Sequence, residues 1–408
     1  MNATRDRERV RLCALFFLHA HALGLWGVNL SNVLKAHGFE KLVPYAFACN
    51  SIAALISPLA VGALADQRMA PERVLRWLGT GSAIFLTLLY FGIGQRWSGG
   101  WILFLTQIHA LWSVPSFGLT TSLVLSRLHE QRAQFGPVRL WATLGWMSAG
   151  WVVSWVLQAD DSTRCGYAAS AVWLLTVGFS FTLTTSPPNV ATRHRTVREM
   201  LGLDALHLLR HHDHGIVFVT AALLNMVLAS FYPFTPLHLE SLGVGHVTAV
   251  MSLGQVSEGI AMLLLATMMQ RFRLKWVFLG GIGVGVLRYA LFVCDTRPAV
   301  ILGVFLHGFC FTFFVVTAQI YLERRVDSRL RTRAQALLTL MMSGIGSLAG
   351  TLGGGWWRDA CEADGHTNWR LFWLGMTLAT AAVMVFFAVA YRGQAGEKNT
   401  NDNAQNAR

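Results

Sequence analysis

Charge is what this sequence has least of. Asp, Glu, Lys and Arg make up only 13% of its 408 residues, about half the share of an ordinary soluble domain. That is too little to cover a water-soluble surface of this size. The six cysteines, at 13, 49, 165, 294, 310 and 361, are scattered and form no C-x-x-C. Their spacing supports neither a disulfide framework nor a zinc site and leaves them as small buried hydrophobes. H-E-x-x-H, a P-loop and a nucleophile elbow in a workable context are all missing, so the chain does not read as an enzyme, and an ATP-driven pump lacks its motor. No cofactor is implied.

Apolar residues are abundant instead, at 54%. They come in runs such as SIAALISPLAVGALA, GSAIFLTLLYFGIG and TAAVMVFFAVA, long enough or nearly so to cross ~30 Å of hydrocarbon as helices. Twelve spans are expected, at 11–34, 43–65, 72–94, 99–126, 137–158, 165–187, 214–238, 246–269, 274–294, 298–322, 332–356 and 368–391. The apolar N-terminal run exceeds a signal-peptide core and leads into further spans, which makes it a retained first helix. The net charge of +12 would suit nucleic acid, but the charge sits in short loops: RDRERVR, ADQRMAPERVLR, RHRTVR, QRFRLK and ERRVDSRLRTR. All fall on one side if both termini are cytoplasmic, as the positive-inside rule requires.

The longest polar interruption, 188–213, divides the chain into an N-terminal six-helix bundle (1–187) and a C-terminal one (214–392), followed by a polar, disordered tail (393–408). Each half carries a basic turn between its second and third spans. Two such halves around a midplane site make the layout of major facilitator transporters, an all-α integral membrane fold. Within the loop, LGLDALHLLRHH reads as a short amphipathic helix lying on the membrane surface. GIGSLAGTLGG spaces Gly346, Gly350 and Gly354 four apart, a seam for close helix approach.

Polar residues inside the spans are the candidates for function. MSLGQVSEGIAMLLLA (251–266) puts Glu258 near the midplane, where a carboxylate is costly unless it is paired or faces a cavity. Gln255 lies three residues earlier on the same face; a protonated glutamate bonded to a neighbouring helix is the structural alternative. In FGPVRLWATLGW (135–146), Arg139, Thr143 and Trp146 fall at i, i+4 and i+7 on one face, after a proline that marks the helix start; Arg139 as a membrane-surface anchor is the alternative. Arg288 reads as a structural brace. His19 and His21 point to different faces. HHDH at 211–214 lies at a helix boundary and is not read as a metal site. In LHGFCFTFF, His307, Phe311 and Phe314 share a face that suits a planar solute, or ordinary packing.

FGPVRLWATLGW, SLGQVSEGIAML, VFLGGIGVGVLRYALF and HGFCFTFFVVTAQIYLERRVDSRLRTRAQALLTLMMSGIG resemble, in order and spacing, segments of the nucleoside:proton symporter family of the major facilitator superfamily. FACNSIAALISPLAVGALADQRMAPERVL is similar to that family's second helix and the loop after it, which places Asp66 and Arg73 in a candidate conformational loop. The resemblance implies a nucleoside site at Arg139, Thr143, Trp146, Gln255, Glu258, His307 and Phe311, with Glu258 also the candidate proton carrier. The chain departs from the family at Ala229 and Tyr232, which stand where the seventh helix has amides. It departs again at Thr312, where the tenth helix carries an aspartate.

The expectation is therefore a secondary transporter of the inner membrane. It would act as a monomer in the lipid bilayer, with a nucleoside-like solute and protons as its partners and no nucleic acid. A porter for a sugar or glycoside, an uncoupled facilitator and a non-transporting sensor are the alternatives.

Overall fold

Within hydrocarbon, backbone polar groups must be satisfied by their own helical ladders, and the chain is helical nearly throughout. A computed structural model describes residues 2–66, 69–128, 131–184, 196–328 and 330–393. The first part comprises α1 (Asn2–Gly27), α2 (Leu30–Ala36), α3 (Val43–Asp66), α4 (Pro71–Gly94), α5 (Gly99–Arg127), α6 (Gln131–Trp151) and α7 (Arg164–Ser180). The second part opens with α8 (Val197–Met200), a 3-10 helix at Leu203–Arg210, α9 (His212–Leu228), α10 (Phe231–Ser241), α11 (Val247–Met251) and α12 (Leu253–Arg271). It continues with α13 (Leu274–Val293), α14 (Arg297–Phe305), α15 (His307–Phe311), α16 (Thr317–Arg325) and α17 (Arg331–Thr339). After these come α18 (Ser347–Ala360), a short hairpin pairing Glu362–Ala363 with His366–Thr367, and α19 (Trp369–Ala390).

Among the described residues, nine helical segments are long and apolar enough to cross a membrane. The remaining expected spans, 43–65, 137–158 and 165–187, fall on α3, α6 and α7. Three local expectations change. Pro137 does not open its helix: α6 already runs from Gln131, and Pro137 lies inside it, removing one ladder bond rather than marking the start. The first helix likewise begins at Asn2, well before residue 11. The segment expected to lie on the membrane is the 3-10 helix Leu203–Arg210, whose buried Ala205 and Leu208 pack on α9 and α17. Protein covers Ala205 and Leu208, while Leu206 stays exposed. The neighbouring HHDH ties two helix ends together. His212 Nε2 meets the Ala390 carbonyl at 2.8 Å, Asp213 accepts from the Arg392 N–H at 3.0 Å, and His214 Nδ1 meets the Tyr321 hydroxyl at 2.7 Å.

Helices before residue 185 pack chiefly on one another, as α1 does on α6 and α7 and α4 on α5; helices after 196 do the same, as α9 does on α18 and α13 on α19. The glycine seam explains one of these contacts. A Cβ on Gly346, Gly350 or Gly354 would lie 2.7 Å from the Ala222 carbonyl oxygen, 2.0 Å from that of Met226 and 2.5 Å from Ser230 Oγ, respectively. Gly346, just before α18, and Gly350 and Gly354 on it thus meet positions four apart on the α9 side, a small-residue stripe that lets two backbones touch. The buried Glu72 of α4 is neutralised within its own group by Arg127 of α5.

The two groups of helices meet along α3 with α18, α2 with α10, and α6 with α11 and α12. The end of the molecule away from the chain termini is latched by polar contacts between them. Lys35 pairs with Glu240 at 3.2 Å and Glu40 with Arg358 at 3.1 Å. Asp160 Oδ1 accepts from the Thr248 N–H at 2.7 Å, from Thr248 Oγ1 at 2.6 Å and from Ser154 Oγ at 2.9 Å. Ser154 Oγ in turn accepts from the Ala249 N–H at 3.0 Å. These latches are unequal. Lys35 and Glu240 are partly solvated, and such pairs contribute only about 0–1 kcal/mol. Hydrogen bonds to a charged acceptor contribute about 1.5–3 kcal/mol. Asp160→Ala should therefore open this end, seen as longer distances between spin labels at Ala36 and Asp364, whereas Lys35→Gln should leave them nearly unchanged.

Candidate solute-binding site

Helices break where the candidate residues gather. Between α9 and α10 the chain turns at Ala229 and Ser230, and Pro233 and Pro236 inside α10 leave the Ala229 and Tyr232 carbonyls without their usual ladder donors. α11 and α12 part at Ser252, and α14 and α15 at Leu306. Directly after that second break, the Gly308 N–H donates to Ser257 Oγ of α12 at 3.1 Å. A π-helical turn, Thr312–Val316, follows, the kind of irregularity that concentrates at functional sites. These breaks aim Tyr232, Gln255, Glu258 and His307 toward one region.

A cavity of about 320 Å³ lies within the first group of helices where Tyr232 of the second group meets them, lined by Trp26, Phe47, Asn50, Phe117 and Trp146 among others and by Tyr232. Its size is at the small end of the range for small-molecule sites. A larger groove of about 510 Å³ has only apolar side chains and glycine in its lining, including the exposed Phe272 and Trp276. It offers a polar solute nothing to bond, whereas Asn50 and Ser113 stand in the lining of the smaller cavity. Trp146 of α6 and Tyr232 of α10, both in the lining, meet edge to face, their ring centroids 6.5 Å apart.

Around that aromatic pair, the sequence-predicted residues fall into three situations. Gln255 is buried beside the Tyr232 hydroxyl, and its Oε1 has no partner among the described residues. His307 is stacked on Phe231 at 4.3 Å, lies 5.8 Å from Tyr232 and is stacked with Phe311 at 6.3 Å. These three gather behind Tyr232, which lines the cavity, but do not line it themselves; of the sequence-predicted site residues Trp146 alone is in the described lining. Arg139 is held over the Phe117 ring at 5.0 Å and the Phe16 ring at 5.8 Å, positions that favour a cation. Glu258 and Arg139 lie within electrostatic reach of each other, from helices of opposite groups, yet make no contact ion pair among the described residues. Thr143 is half-buried one turn from Arg139. Arg73 is exposed in the first turn of α4 and takes no part in the cavity lining. Asp66 ends α3, and its side chain lies outside the described residues.

Two contributions were missed. Asn50 of α3 lines the cavity; it is a lone amide within an apolar span, and that was the available signal. Tyr232 was noted only as a departure from an amide, yet it touches Trp146 and His307 and lies beside Gln255. Thr312 is fully buried within the π turn. The two first-helix histidines do diverge. His19 Nε2 bonds Ser116 Oγ of α5 at 2.8 Å, and His21 Nδ1 bonds Ser148 Oγ of α6 at 2.9 Å.

Comparison with known proteins yields one family, Nucleoside H+ symporter, matched over residues 7–396. The chain belongs to this family. It is accordingly a transporter and not an enzyme. The YegT protein of Escherichia coli (strain K12) is 31% identical over 410 residues, covering 95% of this chain and 94% of its own. Nucleoside permease NupG of the same organism is 27% identical, covering 93% and 94%. Among solved structures, a point mutant of the nucleoside transporter NupG superposes with a TM-score of 0.86 at 25% identity, over 94% of this chain and 100% of that one. A D-xylose-proton symporter at 12% identity and TM-score 0.71 shares the fold alone, that of the major facilitator transporters.

Proposed function

We propose that this protein imports nucleosides together with protons by alternating access around the cavity where its two groups of helices meet. The observation that carries the reading is that aromatic-lined cavity, with Arg139 and Glu258 nearby on opposite sides of the interface. Trp146, Tyr232 and Phe311 would supply faces for the base. Gln255, Thr143, His307 and Asn50 would supply hydrogen bonds, and Asn50 would offset the amides absent from the seventh span. Glu258 would carry the proton. When ionised it attracts Arg139 and draws the groups together; when protonated it releases them.

In this reading the chain has twelve spans in two six-helix halves, 1–187 and 214–392, joined by a cytoplasmic loop, 188–213. It lies in the inner membrane as a monomer with both termini in the cytoplasm. The latched end would then face outward, which places the Asp160 cluster and the two ion pairs at the outer gate, and the loop carrying Asp66 and Arg73 at the inner face. The test is uptake of labelled uridine, inosine and adenosine into proteoliposomes, with and without an inward proton gradient. Gradient-driven accumulation is the expected result. Absence of flux with all three nucleosides would refute the reading.

A further inference from the structure

Arg288 is fully buried and pairs with no carboxylate among the described residues. Its Nη1–H donates to His307 Nδ1 at 2.7 Å. Its guanidinium lies 4.3 Å from the Phe231 ring and 4.6 Å from the Tyr289 ring, while Nε and Nη2 have no partner among the described residues. Glycines make this burial possible. A Cβ at Gly281 would come within 2.8 Å of the Phe313 backbone, and one at Gly285 within 3.0 Å of Cys310 Sγ, so α13 lies directly against the helix that carries His307.

A guanidinium donates hydrogen bonds and never accepts them. The bond therefore fixes His307 Nδ1 as the acceptor, and the single proton of the neutral ring must sit on Nε2. The ring is fixed as well. It is stacked on Phe231 with an interplanar angle of 11°, and its Cδ2 edge faces Gly254, where a Cβ would lie 3.3 Å away. The adjacent Nε2–H lies toward the α12 side of the ring, and it has no partner among the described residues. With Tyr232, Phe231 and Phe311 around it, this edge belongs to the part of the site suited to a planar base.

We infer that Arg288 is a positioning residue that holds His307 as an obligate hydrogen-bond donor, and that this donor selects nucleosides with an oxo rather than an amino group at the 6-position of a purine or the 4-position of a pyrimidine. An oxo oxygen accepts from Nε2–H. An amino group brings donor against donor and leaves a buried N–H unmade, which costs more than a hydrogen bond gains. The inference rests on the nucleoside reading above and deepens it.

The test is competition for transport between inosine and adenosine, which differ at the 6-position, and between uridine and cytidine. In the wild type, inosine and uridine should compete about tenfold more strongly, the scale of one hydrogen bond in such a site. His307→Phe should erase the difference. His307→Asn should restore much of it, because an amide accepts from Arg288 through oxygen and donates through nitrogen. Arg288→Lys keeps a donor and should retain the preference, whereas Arg288→Met frees the tautomer and should flatten it without abolishing adenosine uptake. If Arg288→Met is too unstable to assay, nitrogen-15 spectra of wild-type histidines decide the same point: the His307 resonance should be protonated at Nε2 and bare at Nδ1. A preference unchanged in His307→Phe, or a proton on Nδ1, overturns the inference while leaving nucleoside transport intact. Wild-type protein that moves none of the four nucleosides would overturn the nucleoside reading itself.

Discussion

Glu258→Gln should abolish accumulation of nucleoside against its gradient while leaving exchange between preloaded vesicles and medium intact. Glutamine preserves the shape and hydrogen-bonding capacity of the side chain but takes up no proton. An inward pH gradient of one unit supplies ~1.4 kcal/mol per proton, enough to sustain about tenfold accumulation of a neutral solute moved with it. In the variant that ratio should fall to one. The variant also mimics the protonated state permanently, so the attraction between Arg139 and Glu258 is gone at every pH. Spin-label distances across the latched end should then lose any dependence on pH that the wild type has. Uphill accumulation that persists in Glu258→Gln would remove Glu258 from coupling and send the search to another group.

Much of this was legible without coordinates, for a physical reason. A carboxylate or guanidinium in hydrocarbon is expensive, so Glu258 and Arg139 stand out as single letters in an apolar background. Helical spacing then places Gln255, Thr143 and Trp146 beside them. What the letters do not encode is the partner across a helix interface. Arg288 reads as a brace in the sequence, and only the packing of α13 shows that it bonds His307. Asn50 and Tyr232 join the cavity because of where α3 and the broken α10 lie. Pro137 misled because proline at a helix start and proline inside a helix look the same in a short window. The segment LGLDALHLL misled for a related reason: an apolar stripe shows that something covers it, without saying whether lipid or protein does.

Gly308→Ala, a single added methyl group, should be severely damaging. A Cβ there would lie 2.0 Å from the backbone nitrogen of Glu258 and 2.4 Å from Ser257 Oγ. No side-chain rotation relieves a clash with backbone, so α15 and α12 must part. Overpacking of this kind costs about 1–3 kcal/mol, and the Gly308 N–H bond to Ser257 Oγ is lost as well. Parting the two helices moves Glu258 relative to Arg139 and draws His307 away from Gly254, so coupling and recognition fail together. The companion substitution separates this effect from the loss of a glycine as such. Gly259 directly follows Glu258, and a Cβ there meets open space. Gly259→Ala should raise helix stability by ~1 kcal/mol and leave uptake near wild type. Thermal melting in detergent should thus move in opposite directions for the two variants, with uptake lost only in Gly308→Ala. Equal behaviour of the pair would mean that α12 and α15 are not in contact in the working transporter, and that the site is not built around their seam.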